Sequence, residues 1–283
     1  MTSTTTRLAT ATAAALALGA PAWAAGTWDF SVCNGSSTVA GTAAGSSSGA
    51  SVGNSYSCAA NGSTTRDLTV TAWGATSSTN ASYSTAYVSG QGTDGFGVSA
   101  QSEGGAGAVS PNDALDNDPT TLAPNLILLK FNSAVILDKV TLGWTMTDAD
   151  LTIMAYTGSS APSSFINGKS VSNLTSGGAS AGWSLVQNVG DVDGAYATGS
   201  AASSTNVGYS VNQVGVSSSY WLISAYNSGF GGGTMDGLVD YAKLLSVTTR
   251  DATAKVAEPA SLALAAAALC LLWRSRRRTA PIV

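Results

Sequence analysis

The clearest alternation of apolar and polar positions lies in the middle of the chain. Residues 126–131 are a short apolar run bounded by turn residues. Val140, Leu142 and Trp144 alternate with Thr141, Gly143 and Thr145, and Leu151, Ile153 and Ala155 alternate with Thr152, Met154 and Tyr156. A period of two is what a strand with one buried face leaves in a sequence. With Asn132-Ser133 and residues 148–150 between them, these three segments predict an antiparallel meander. Residues 68–73 alternate in the same way, and further strands are predicted at 183–186, 207–211, 220–226 and 238–248. No segment between 26 and 251 repeats its apolar residues at helical spacing. Eight or more short strands joined by Gly, Ser and Asn turns predict an all-β domain, an antiparallel β-sandwich of jelly-roll type. Residues 35–55 and 90–110 are Gly-rich and read as loops, the first with almost no large side chain.

The two ends follow a different pattern. Arg7, an apolar stretch over 8–19 and the small residues of Ala22-Trp23-Ala24 have the order of a secretory signal, with cleavage after Ala24. A signal helix over residues 1–24 implies the Sec translocon and signal peptidase as partners. At the other end, Glu258-Pro259 precedes residues 260–273, which carry no charge, and then come Arg274, Arg276, Arg277 and Arg278. An uncharged helix can enter hydrocarbon because its backbone groups pair internally. The arginines stay on the cytosolic side. The stretch is shorter than the roughly 20 residues of a full span, so the C-terminal transmembrane helix it predicts needs snorkelling arginines or local thinning. The chain thus divides into a signal peptide (1–24), a β-rich ectodomain (25–250), a linker (251–257) and a tail (258–278).

Charge and composition narrow the function. Residues 25–259 hold all sixteen acidic residues and only seven basic ones, a formal charge of −9. No basic face exists to neutralise phosphate, so nucleic acid is not a partner. The chain has no histidine. That removes Ser-His-Asp and Cys-His catalysis and zinc sites built on imidazole. Cys270 falls in the apolar tail, whereas Cys33 and Cys58 fall in the exported part. In an oxidising compartment those two are expected to form a disulfide.

Three groups of residues are candidates for chemistry. Asp113, Asp116, Asn117 and Asp118 lie within six positions. Closely spaced oxygen ligands of this kind suit a weak extracellular calcium site, although the Gly and bidentate Glu of an EF-hand are missing. The alternative is a solvated turn in which Asp and Asn cap backbone amides. Asp148 with Asp150, and Asp191 with Asp193, are carboxylate pairs of the type a glycosidase needs across a cleft. Both pairs sit beside turns, and solvated loops are the favoured reading. Trp28, Trp73, Trp144, Trp183 and Trp221 are candidate stacking platforms for sugar rings. Trp144 and Trp221 lie in apolar strands and are expected in the core, while Trp73 is out of phase with Leu68 and Val70.

The segment Val256-Ala257-Glu258-Pro259-Ala260-Ser261-Leu262, with the apolar stretch and arginine cluster after it, resembles the PEP-CTERM sorting signal. Ala257 stands where that signal usually has its first Pro. The resemblance implies recognition by exosortase, a transpeptidase-like membrane enzyme of Gram-negative bacteria that make exopolysaccharide, with processing near Glu258 and Pro259. The ectodomain is similar to exosortase-dependent surface proteins in a series of short stretches: Trp28-Asp29-Phe30, Gly95-Phe96-Gly97-Val98, Ala114-Leu115-Asp116-Asn117, Leu128-Leu129-Lys130-Phe131, Leu142-Gly143-Trp144, Gly182-Trp183 and Ser219-Tyr220-Trp221-Leu222. That family often has a His where this chain has Asp113, and it contributes no enzymatic activity. The expectation is a non-enzymatic protein with no catalytic residues and no obligatory cofactor. It is held transiently in the inner membrane and then delivered to the cell surface or the extracellular matrix. Its role there is structural or adhesive, in the envelope or in an exopolysaccharide matrix such as a biofilm. The alternative is a carbohydrate-binding module, calcium-assisted. A hydrolase using a carboxylate pair is the third reading.

Overall fold

The computed structural model of the chain describes residues 26–33, 36–37, 51–53, 55–77, 79–105, 111–118, 123–158, 166–175, 182–190, 206–233, 235 and 237–250. The signal segment, the linker and the sorting tail, with Glu258, Pro259, Arg274, Arg276, Arg277 and Arg278, lie outside these residues, as do Asp191 and Asp193. No helix among the described residues is long and apolar enough to cross a membrane.

The described chain is all-β. Its first strands are β1 (Gly26–Asp29), β2 (Ser36–Ser37), β3 (Ser51–Gly53), β4 (Ser55–Ala59), β5 (Arg66–Ser77), β6 (Asn80–Gly90) and β7 (Phe96–Ser99). Then follow β8 (Leu115–Asp116), β9 (Leu126–Thr147), β10 (Leu151–Tyr156), the single-turn helix α1 (Val171–Thr175), β11 (Trp183–Val189), β12 (Val207–Ser210), β13 (Ser218–Ala225) and β14 (Asp240–Arg250). All ladders between these strands are antiparallel. The strands run in the order β11-β10-β13-β9-β14-β7-β6-β5-β4-β2, and β9 also pairs with β5. Pairing therefore closes a circuit through β9, β14, β7, β6 and β5.

The expected meander is not formed. Residues 126–147 are one continuous strand of 22 residues that passes through Asn132-Ser133 without turning. Its first part pairs with β13 and β5, and its second part with β14 and β12. The ladders stop at Phe131 and resume at Val135, and this pairing before and after Asn132-Ser133 carries the strand through them despite their weak strand preference. β10 pairs with β11 and β13 rather than with β9.

Burial explains the near-continuous apolar run in β9. Ile127, Leu129 and Phe131 point into the main core, together with Trp28, Phe96 and Trp221. Leu126 and Leu128 point the other way, into a second cluster with Trp73, Tyr83, Met154, Tyr156, Trp183 and Phe230. Leu174 of α1 and Ile166 complete that second cluster. This part of the sheet is covered on both faces, so alternation is lost. Trp73 is out of phase with Leu68 and Val70 because it serves the second cluster while they serve the first.

Two stretches read as loops contain strands. Within 90–110, all four residues of β7 are buried. Gly97 is required there, since a Cβ at that position would stand 1.8 Å from the Asp113 carbonyl oxygen. Within 35–55, Ser36–Ser37 pairs with β4 and Ser51–Gly53 with β6.

Cys33 and Cys58 are joined, with 5.0 Å between their Cα atoms. Closing a loop of this length restricts the unfolded chain and contributes roughly 3–4 kcal/mol. Reduction, or the Cys33→Ser/Cys58→Ser double substitution, is expected to lower stability by about that amount in chemical denaturation.

Candidate functional site

Three buried carboxylates meet where β9 ends and β14 begins. Thr147 takes a left-handed backbone (φ 69°) and turns the chain out of β9. Asp148 then bridges back to Met146 and across to Asp240. The Asp150 amide donates to Asp240 Oδ1 at 2.7 Å, and the Ala149 amide to Asp148 Oδ1 at 2.8 Å. The Tyr241 amide donates to the Asp148 carbonyl at 3.0 Å and the Tyr226 amide to the Asp150 carbonyl at 2.9 Å. Asn117 is clasped to the same place. Its amide nitrogen donates to Asp240 Oδ2 and to the Tyr226 carbonyl, and its Oδ1 accepts from the Asp240 amide at 2.8 Å.

Carboxylate oxygens of Asp148, Asp150 and Asp240 lie within 4.8 Å of one another. The three residues are only 2–3% exposed. The solvated loop expected for Asp148 and Asp150 is thus overturned: the β9–β10 turn is folded under the start of β14. Like charges this close in a poorly solvated place repel one another. A divalent cation offsets that repulsion, and an all-oxygen donor set suits calcium. The pair Asp148 and Asp150 was legible in the sequence, but Asp240 was not, because it lies ninety residues away and only the β9–β14 pairing brings it in.

The four residues expected to hold calcium do not converge. Asp113 pairs with Lys243 at 3.1 Å and accepts from the Gln91 side chain at 2.7 Å. Lys243 also lies 4.7 Å over the Trp144 ring. Asp116 faces Glu103, and Asn125 donates to both carboxyl groups, at 3.2 and 3.0 Å. Asp118 accepts from the Tyr241 hydroxyl at 2.9 Å. Only Asn117 reaches the acidic triad. The turn reading holds in part: Asp116 Oδ1 accepts from the Asp118 amide at 3.2 Å, but Asp113 and Asp116 are buried rather than solvated.

Burial, and then the charge of Glu103, hold the Asp116 carboxyl well above the usual carboxylate range. Burial raises Glu103 as well. Burial together with the hydrogen bond to Asp118 pushes the Tyr241 hydroxyl upward. Asp116 therefore binds its proton more tightly folded than unfolded. Its contribution to stability is full below the ordinary value of about 4 and is lost as pH rises through its folded value. The melting temperature is expected to fall over that rise, and Asp116→Asn is expected to flatten the profile. A wild-type profile that instead rises steadily from pH 4 upward contradicts this assignment.

All five candidate tryptophans are buried, from 0% exposed for Trp28 and Trp221 to 7% for Trp73 and Trp144. None presents an open ring face to a sugar. No protein-family model, curated protein or solved structure matches the chain.

Proposed function

We propose that this chain is a non-enzymatic exported surface protein. Sec and signal peptidase carry it across the inner membrane and remove residues 1–24. The tail then holds it until exosortase processes it near Glu258-Pro259. Its ectodomain works as a structural or adhesive unit in the envelope or exopolysaccharide matrix. The structural observation that carries this reading is the Cys33–Cys58 pair at disulfide distance, since disulfides persist in oxidising compartments. The absence of histidine and the PEP-CTERM-like tail support it from the sequence. The finer reading of the fold is a jelly-roll-type sandwich, which the wholly antiparallel pairing suits. Fractionating cells with and without exosortase, and locating the C-terminal residue of the mature protein by mass spectrometry, tests the sorting step. A chain that still ends at Val283 in both strains refutes it.

The acidic triad supports the calcium part of a second reading of the ectodomain, a carbohydrate-binding module assisted by calcium. In it, Asp148, Asp150 and Asp240 hold calcium and so fix the β9–β10 turn against β14. Chelator-treated protein is expected to gain melting temperature on addition of millimolar calcium, and Asp148→Asn to lose that gain. An unchanged melting temperature in the unsubstituted protein rejects the calcium site.

A further inference from the structure

A cleft of about 570 Å³ lies between the end of β1 and the β4–β5 turn, remote in sequence from the acidic triad. Asp29, Val32, Ser57, Asn61, Thr64 and Arg66 line it. Its size is that of a small-molecule site. Three ties fix its walls. The Cys33–Cys58 bond joins the segment after β1 to β4. The Asn61 amide donates to the Thr27 carbonyl at 2.7 Å. The Trp28 indole donates to Asp67 at 2.8 Å, just beyond Arg66.

The lining has a definite chemistry. Val32 is 60% exposed, one of three large apolar side chains so placed among the described residues. Around it stand hydroxyl, amide, carboxylate and guanidinium groups. Asp29 Oδ1 accepts from the Ser31 amide and hydroxyl. The side chains of Asn61, Thr64 and Arg66 bond to no other described residue, and Asp29 and Arg66 do not pair with each other. One cation and one anion leave the lining without net charge. A ligand that matches it is neutral, dense in hydroxyl groups and apolar on one face.

We propose that this cleft binds a neutral saccharide unit of a polysaccharide. Arg66 and Asn61 donate to ring hydroxyls, Asp29 and Thr64 accept from them, and Val32 meets the C–H face. The disulfide keeps the cleft open in advance, which spares the ligand the cost of ordering its walls. The net charge of −9 on residues 25–259 disfavours polyanions at the same surface. This inference rests on the carbohydrate reading above and assigns it a place.

The test is affinity electrophoresis of the exported protein in native gels containing dextran, galactomannan or xyloglucan, with alginate as the acidic polymer. The intact protein is expected to be retarded by at least one neutral polymer and not by alginate. Arg66→Gln and Asn61→Ala are surface changes, and their melting temperatures verify folding. Each is expected to weaken retardation at least tenfold, and reduction of the disulfide is expected to weaken it as well. Retardation that survives both substitutions overturns the cleft while leaving the carbohydrate reading intact. Retardation by alginate alone overturns the neutral ligand. No retardation by any polymer overturns the cleft and the carbohydrate reading together, and leaves export and sorting to be judged by the mass of the mature chain.

Discussion

Lys243→Met is expected to lower stability by about 3–5 kcal/mol, the range seen when one partner of a buried ion pair is removed. The Lys243 ammonium is 3.1 Å from Asp113, with both side chains less than 10% exposed. It also lies over the Trp144 ring, which adds a cation–π contact. Removing it leaves the Asp113 carboxylate buried with only the Gln91 amide beside it. The pair itself is a poor source of net stability, because desolvation opposes the attraction. The double variant Lys243→Met/Asp113→Leu is therefore expected to recover most of the loss. Urea denaturation of the wild type, both single variants and the double variant measures the coupling directly. A Lys243→Met loss below about 1 kcal/mol, typical of an exposed pair, contradicts the burial described here.

Trp221→Ala is expected to cost a similar amount, about 3–5 kcal/mol, through a cavity that the surrounding strands cannot close. Trp221 is fully buried at the centre of the main core, and its indole donates to the Ser218 carbonyl at 2.9 Å. Its neighbours Leu129 and Ala155 belong to two different strands paired with β13. Collapse on one side is resisted by hydrogen-bonded sheet on the other. Trp221→Phe keeps much of the volume and is expected to lose clearly less. Equal losses for Phe and Ala would point to the indole hydrogen bond rather than to packing.

Much of the fold was legible because burial leaves a local trace. The alternation at 68–73 and 151–156, and the apolar stretches near 183, 220 and 238, all became strands. Strand β6 left almost no trace. Its buried residues include Tyr83, Ala86 and Val88, spaced among Ser and Thr, and that pattern looks like a polar loop. Strand β7 was hidden by its glycine, which is present because another backbone passes 1.8 Å from where its Cβ would be. Glycine reads as a loop in sequence, but here it permits close packing.

The candidate site was half legible. Two aspartates of the triad stood out by their spacing, and the cysteine pair stood out by compartment and count. The third aspartate and the partners of residues 113–118 did not, since each contact spans many residues: Asp113 with Lys243, Asn117 with Asp240, Asp118 with Tyr241. The chain turns at 111–113 and only Leu115–Asp116 is strand, so a tight cluster in sequence was dispersed to separate partners in space.

By itself, the sequence determined the all-β class, the pairing of Cys33 with Cys58, the burial of Trp144 and Trp221, and the lack of any imidazole chemistry. These follow from local pattern and composition, which no fold can rearrange. Only the tertiary structure decided that residues 126–147 run as one strand, that β10 joins β13, and that Asp240 completes an acidic site with Asp148 and Asp150. Those outcomes depend on which strands pair across long stretches of chain, and backbone hydrogen bonds carry no side-chain code that would reveal their partner in advance.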